Sequence, residues 1–215
     1  MKNYVLLFLC LLMINTEIFS QDDFFEEKKE VIEPHVYLEL GPLFGDIDSE
    51  NTIDSKMGSY LAIGYAKEIV PKIPFLLKTD KTMPLFIELG LKQIGSKGTV
   101  FNQTIVSNYE YLELRIKTRY IVPLKKTKKN LFLNGGIFYS SLKVAEENWN
   151  NTVTSVAANM NSTDLGVVFG VSMKFNQKIF FSENITTSMT YSYGLVDIEN
   201  GNNSKSFLSA IRLVF

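Results

Sequence analysis

The chain has 215 residues and a formal net charge of −1, and 46% of its residues are hydrophobic while 21% are charged. This balance excludes an intrinsically disordered chain and a helical membrane protein, and it offers no basic surface for nucleic acid. The length fits one domain of ordinary size.

Residues 1–20 have the layout of a signal peptide. Lys2 supplies a positive charge, and residues 5–14 form an apolar run that is too short to span a bilayer as a stable helix. Ser20, a small residue, precedes Gln21. We therefore predict export, with cleavage between these two residues.

Cys10 is the only cysteine, and it allows an alternative in which the leader is a lipoprotein signal. Leu9 stands where such signals carry a small residue, and that leader would be very short, so we prefer cleavage after Ser20. The mature chain then has no cysteine, which excludes disulfides, thiol chemistry and cysteine-based zinc sites. We expect no metal and no cofactor.

Residues 21–34 are first acidic and then of mixed charge, and we interpret them as a solvated N-terminal segment in the periplasm. From residue 35 to 215 hydrophobic residues recur at every second position, which is typical of β-strands. The clearest alternating stretches are 36–41, 60–66, 85–92, 111–120, 164–175, 184–193 and 207–215. The segment 131–145 is also a predicted strand, but its phase is ambiguous around Gly135 and Gly136.

These stretches make about eight strands of roughly ten residues, the length of tilted transmembrane strands. No later segment is long and apolar enough to be a transmembrane helix, and in a bilayer only a closed barrel would satisfy the backbone of such strands. The predicted fold is all-β: an eight-stranded, antiparallel, up-and-down transmembrane β-barrel over residues 35–215.

The connections alternate in character, which predicts long outer loops and short periplasmic turns. The outer loops are assigned to polar segments rich in Asn, Ser, Thr and Gly, at 46–57, 96–107, 146–163 and 195–204. The periplasmic connections are assigned to 70–83, 123–130 and 176–178, of which the first is longer than this pattern expects.

Alternation alone does not decide whether the apolar face points to lipid or into a soluble core. The other face carries nearly balanced charges, and Gly and Ala recur on it. Small residues leave room for long side chains in a narrow lumen, and opposite charges can pair there, as burial requires. We predict a lumen charge network of Glu39, Glu88, Lys92, Glu113, Arg115, Lys117, Arg119, Asp164 and Arg212.

The last predicted strand ends on an aromatic residue. This pattern is similar to the signal that the outer-membrane barrel-assembly machinery recognises, so we assign that role to Phe207, Ile211, Leu213 and Phe215.

Five stretches resemble, in order and spacing, the PorT-like family of small outer-membrane β-barrels, often called porin-family proteins. They are 87–98 (IELGLKQIGSKG), 111–114 (YLEL), 131–136 (LFLNGG), 164–170 (DLGVVFG) and 191–195 (YSYGL). The resemblance implies an eight-stranded barrel without catalytic residues, and some relatives are tied to protein secretion. This chain departs from the family where Pro usually follows the Tyr-Leu-Glu stretch, because Arg115 and its neighbours stand there instead.

Few residues suggest catalysis. His35 is the sole histidine, so any Ser/His/Asp arrangement would have to include it. Glu88 and Glu113 could face the lumen on neighbouring strands as a carboxylate pair for acid–base work. With Lys92 and Arg115 beside them, a structural ion-pair network is favoured, so we predict that the chain is not an enzyme.

We therefore predict a protein of the Gram-negative outer membrane with a structural or interaction role, related to secretion or to ligand binding. Its expected partners are outer-membrane lipids, the barrel-assembly machinery, and proteins or ligands at the outer loops, above all 146–163 with Trp149; no nucleic acid is expected. A narrow porin-like diffusion channel and a soluble periplasmic ligand-binding β-barrel remain as alternatives.

Overall fold

The computed structural model describes residues 33–47, 53–69, 83–100, 103–124, 129–175, 184–199 and 202–215. The predicted leader and most of segment 21–34 lie outside these residues. The strands are β1 (His35–Ile47), β2 (Ile53–Ile69), β3 (Met83–Val100), β4 (Gln103–Leu124), β5 (Lys129–Trp149), β6 (Thr152–Ser155), β7 (Thr163–Phe175), β8 (Asn184–Glu199) and β9 (Asn202–Val214). A short 3₁₀ helix, Ala157–Asn159, lies between β6 and β7.

Eight of these strands form a closed ring in which every neighbouring pair is antiparallel. The order is β1, β2, β3, β4, β5, β7, β8, β9 and back to β1, while β6 pairs with β5 alone. Beyond β9, the backbone N–H of Phe215 donates to the carbonyl of Val36 at 3.0 Å. The predicted fold class, an eight-stranded up-and-down antiparallel barrel, is confirmed.

Neighbouring strands are staggered around the ring. A path along paired residues starts at Val36, crosses all eight strands and returns to β1 at Asp46, ten residues farther along. A fixed shear of this kind tilts the strands, as closure of a small barrel requires. The end where β1 begins and β9 ends is called the lower end below, and the opposite end the upper end.

The phase of β5, which the sequence leaves open, is set by a bulge near its upper end. Glu110 of β4 pairs with Val144, but the next residue, Tyr111, pairs with Leu142, so Lys143 is an extra residue in β5. Below the bulge the even-numbered residues point inward, and above it Ala145 does so. One inserted residue therefore exchanges the two faces of the strand.

The two adjacent glycines of β5 lie well below this bulge and do not interrupt the alternation. A Cβ on Gly136 would come within 2.1 Å of the carbonyl oxygen of Ile116, whereas one on Gly135 would meet open space. Gly136 is thus required by the close approach of β4, and Gly135 lies on the outer surface.

The polar segments that the sequence assigns to outer loops are largely strand. β3 and β4 run on to Val100 and from Gln103, and β8 and β9 run on to Glu199 and from Asn202. The segment 146–163 contains the end of β5, all of β6 and the 3₁₀ helix. Thr, Ser and Asn are polar, but a strand accommodates them wherever its backbone groups pair, so polarity marks exposure to solvent rather than the end of a strand.

Within the described residues, no helix has the length and apolar character needed to cross a membrane.

Candidate functional site

The outer surface of the ring is apolar on every strand. These outward side chains are roughly two-fifths to three-fifths exposed, as illustrated by Leu40 at 39%, Ile63 at 58% and Leu91 at 57%. Further members of the same surface are Leu114, Ile137, Leu165, Phe169, Met189, Tyr191, Phe207, Ile211 and Phe215. A soluble barrel would bury such residues in its interior. In this barrel the apolar side chains face outward instead.

The nine charged side chains of the predicted lumen network lie on the inner side of the ring. Eight of the nine residues predicted for the lumen are at most 3% exposed, and the ninth, Arg119, is partly buried. Their alternation with the apolar outward residues explains this placement, because successive side chains of a strand face opposite sides. Burial of so many charges requires partners.

Four of these residues form the lower cluster: Glu39, Glu88, Lys117 and Arg212. Lys117 Nζ lies 2.6 Å from Glu88 Oε1 and 3.7 Å from Glu39 Oε2. Arg212 donates from Nε to Glu39 at 2.9 Å and lies 3.0 Å from Glu88, so each base is shared by both acids. Tyr37 donates its hydroxyl to Glu88 at 2.8 Å, and its ring stacks against the Arg212 guanidinium at 4.3 Å.

The upper cluster consists of Lys92, Glu113 and Arg115, with Glu113 between the two bases. Lys92 Nζ lies 3.4 Å from Glu113 Oε2, and Arg115 Nε donates to Oε1 of the same carboxylate. Ser140 donates to Glu113 Oε2 at 2.8 Å. The Arg115 guanidinium also lies 4.2 Å from the ring of Tyr60, a cation–π contact.

Two predicted network members have other surroundings. Arg119 lies between the rings of Phe86 and Phe132, at 4.6 and 4.4 Å, and its Nε donates to Asn134 at 3.4 Å. Asp164 accepts a hydrogen bond from Ser204 but forms no ion pair with any residue in the described parts of the chain. Asp164 therefore lines the lumen without joining either cluster.

The wall opposite β3 and β4 is lined mainly by small hydroxyl side chains. These are Thr186, Ser188, Thr190 and Ser192 of β8 with Ser204 and Ser206 of β9, all nearly inaccessible to solvent. Because these side chains are short, the long side chains of the facing strands can extend across the lumen. The clusters consequently fill the interior instead of bordering an open channel.

Above Lys92 and Tyr111 the interior contains a cluster of hydrophobic side chains. Met160, from the connection between β6 and β7, is buried at 8% exposure in a cluster with Leu43, Ile94, Tyr109 and Leu208. The connection is held to β5 by two backbone hydrogen bonds, from Val156 to Ala145 at 3.0 Å and from Leu142 to Ser162 at 2.8 Å. A segment predicted as an outer loop thus folds over the upper end of the lumen.

On the outside, a polar row marks the upper limit of the apolar band on β2, β3 and β4. Ser59 donates to Gln93 at 2.9 Å, and Gln93 donates to Glu110 at 2.8 Å. One step higher, Lys56 donates to Asn108 at 2.8 Å. β3, β4 and β5 continue above this row, so one side of the wall extends beyond the apolar band.

The residues considered for catalysis have structural surroundings. His35 Nδ1 lies 2.8 Å from the carbonyl oxygen of Glu33 at the start of β1, and its ring lies 6.1 Å from the ring of Tyr37. Glu88 and Glu113 are held in different clusters, each against bases. In the parts of the chain that the structure describes, no three His, Cys, Asp or Glu side chains are grouped so as to hold a metal ion.

Sequence reasoning missed the neutral partners of the clusters, Tyr37, Tyr60 and Ser140. Each lies on the inward phase of its strand, and Tyr37 stands two residues before Glu39. The position of these residues on the inward face of their strands was the sequence signal that could have identified them as lumen residues. The choice of partner, however, depends on the stagger between strands, which the alternation does not contain.

The predicted assembly-signal residues, three in β9 and Phe215 directly after it, face outward. Phe207, Ile211 and Phe215 are 41%, 46% and 53% exposed, and Leu213 is partly buried. They form part of the apolar outer surface next to β1.

No family model and no curated protein matches this chain. Among solved structures it is similar to Ail, the attachment invasion locus protein of Yersinia pestis, with a TM-score of 0.43. It is also similar to Neisserial surface protein A, with a TM-score of 0.44, and to the outer membrane protein OprG from Pseudomonas aeruginosa, with a TM-score of 0.41. Each is 10% identical to this chain and matched over 86% of it, and the match covers 100%, 100% and 97% of those chains respectively.

Proposed function

We propose that this chain is an outer-membrane β-barrel protein of Gram-negative bacteria with a structural or interaction role and no catalytic activity. One observation carries the proposal: the ring exposes large apolar side chains on all its strands while it buries two clusters of charged side chains in its interior. An apolar surface that encircles a closed barrel matches a bilayer, where no open strand edge is tolerated. Lipid is thus the first partner of the outer wall.

The other parts of the proposal rest on the sequence. A cleaved leader at 1–20 would deliver the chain to the periplasm, and the barrel-assembly machinery would recognise the outward residues of β9. The resemblance to PorT-like barrels, some of which are tied to protein secretion, supports an interaction role. The long polar connections lie at the upper end, so the segments above the apolar band would face the cell exterior, where contacts with other proteins or ligands would form.

The packing of the lumen favours this role over a diffusion channel. The two ion clusters, the aromatic rings around them and buried Met160 occupy the interior, as is typical of eight-stranded barrels. Purified protein in planar bilayers should show no stable conductance. Reproducible ohmic channels would contradict the closed lumen and favour the porin-like alternative.

The membrane assignment is tested by fractionating cells that express the full chain. The protein should be found in the outer-membrane fraction and should migrate differently on an SDS gel before and after boiling, as a closed barrel does. Recovery in the soluble periplasmic fraction would contradict the proposal and favour the ligand-binding alternative. If the protein migrates at the same position before and after boiling, it does not form a detergent-resistant barrel.

A further inference from the structure

Above the upper end of β7, the ring lacks one strand. β7 pairs with β5 only up to Ser141 and Thr163, and with β8 only up to Gly166 and Gly194. β5 continues from there to Trp149, and β8 continues to Glu199. In this upper part, no described strand connects the β5 side of the wall with the β8 side.

β6 partly fills the gap and leaves a free edge of its own. It pairs with β5 from Glu146 and Ser155 to Trp149 and Thr152. Its other edge has no backbone partner among the residues that the structure describes. Below it, the connection that carries Met160 bonds to β5 and covers the inner side of the gap. The free edge of β6 therefore faces the gap on the β8 side, and all four residues of β6 are exposed to solvent.

The hairpin geometry identifies the backbone groups at this edge. Asn150 and Asn151 have φ values of 46° and 70°, as a two-residue turn with a left-handed backbone requires. In such a hairpin the flanking residues Trp149 and Thr152 form a hydrogen-bonded pair, and bonded and non-bonded pairs then alternate. The N–H and C=O groups of Val153 and Ser155 consequently point away from β5.

β6 is short, at four residues, but it lacks other features by which proteins protect an edge strand. Its sequence, Thr-Val-Thr-Ser, has no Pro and no charge, all four side chains are exposed, and Val153 is 57% exposed. Its pairing with β5 is regular, without a bulge. An unpaired edge without Pro, charge or a bulge leaves its backbone groups available to another strand.

The charges beside the edge indicate what kind of strand would fit. Glu146 and Glu147 stand on β5 opposite Ser155 and Thr154, and neither forms an ion pair with another described residue. Glu147 accepts a hydrogen bond from the indole of Trp149 at 3.2 Å. Long basic side chains on an added strand would reach these carboxylates across the short side chains of β6.

Resting on the proposed outer-membrane role, we propose that β6 binds an extended, basic segment of a partner protein by antiparallel strand addition. A second copy of this chain does not fit. Two copies inserted in one membrane are related by an axis along the membrane normal, so their tilted β6 strands cross instead of aligning. The occupant is therefore a strand of a different protein that reaches the membrane from the cell exterior.

Binding is tested with the full chain folded in lipid nanodiscs and a short synthetic peptide that alternates Lys with Thr or Val. Trp149 is the only tryptophan and is paired with the first residue of β6, so its fluorescence reports on the edge. The wild-type protein should give a saturable shift in emission. Val153→Pro, which removes an N–H at the free edge, should weaken the affinity about tenfold. Val153→Thr, which keeps that N–H, should bind like the wild type.

Two further peptides test the mechanism on the unaltered protein. A peptide N-methylated along the edge that faces β6 should not bind, and one with Glu in place of Lys should bind several-fold more weakly. Absence of a saturable shift with the wild type, or equal binding of the N-methylated peptide or of the Val153→Pro variant, would overturn strand addition. The outer-membrane proposal is judged separately, because each variant is first checked for barrel formation by its mobility before and after boiling.

Discussion

Two walls of the barrel face each other across one lumen, yet they are built from opposite kinds of side chain. β3 and β4 contribute five buried charged residues, namely Glu88, Lys92, Glu113, Arg115 and Lys117. The inward residues of β8 and β9 are mostly small, and several are Ser or Thr. Arg212 is the main exception, and it reaches from β9 to Glu88 on β3. On the outside both walls carry exposed apolar side chains.

The difference shows how a narrow barrel accommodates charge. An eight-stranded ring has just enough interior for side chains to fill it. If long residues came from both sides they would collide, and if none did, the interior would be empty. One wall therefore contributes long, charged side chains, and the other contributes short side chains that leave space for them. The consequence is that a substitution should have very different effects depending on the wall and the face on which it falls.

The largest effect is expected at Glu113, the only carboxylate of the upper cluster. Glu113→Gln keeps the shape but leaves Lys92 and Arg115 buried without a counter-charge. Loss of one member of a buried pair typically costs about 3–5 kcal/mol, so the free energy of unfolding in lipid vesicles should fall by that amount. Asp164→Asn is the matched control, because that carboxyl is hydrogen-bonded to Ser204 and has no ion pair among the described residues. Equal losses in the two variants would contradict the assignment of the clusters.

The next effect concerns the face of β4. Leu114 points outward within the apolar band and is 40% exposed. An Arg at this depth should cost roughly 2–4 kcal/mol in a bilayer and nearer 0–1 close to the interface. Leu114→Arg should thus reduce insertion strongly, whereas Thr104→Arg, on the same face of β4 but above the polar row, should insert normally. The measurement is the heat-modifiable fraction in outer membranes. Normal insertion of Leu114→Arg would mean that this face does not contact lipid.

The sequence predicts the faces well and the pairings poorly, for a physical reason. A period of two places Leu114 outward and Arg115 inward without reference to any other strand. The phase of upper β5 depends on the extra residue Lys143, which only the pairing with β4 reveals. Likewise, Arg212 meets Glu39 and Glu88 because of the stagger around the ring, which no single strand encodes.

A smaller effect is expected at the outward aromatic residues. Phe215 and Phe169 are similarly exposed, at 53% and 49%, and both contribute apolar surface. If the assembly machinery reads β9, Phe215→Ala should lower the outer-membrane yield several-fold while the chain still reaches the periplasm. Phe169→Ala, on β7, should lower it only slightly. Fractionation with immunodetection compares the two variants, and equal yields would leave the predicted assembly signal without support.

The smallest effect is expected at the wall of Ser and Thr side chains on β8 and β9, called the hydroxyl wall here. It tests whether this wall only leaves space for the charged side chains that face it. Ser192 and Ser140 are both about 1% exposed, but Ser140 donates to Glu113, while the hydroxyl of Ser192 has no hydrogen-bond partner among the described residues. Removing a hydrogen bond to a charged group costs about 1.5–3 kcal/mol, whereas removing a buried hydroxyl that has no partner is neutral or slightly stabilising. Ser192→Ala should therefore leave the free energy of unfolding unchanged or raise it by less than about 1 kcal/mol, and Ser140→Ala should lower it. The two variants differ from the wild type by the same single oxygen, so the change in side-chain volume is the same in both. A larger loss for Ser192→Ala than for Ser140→Ala would show that the hydroxyl wall takes part in the polar network and does not merely make space for it.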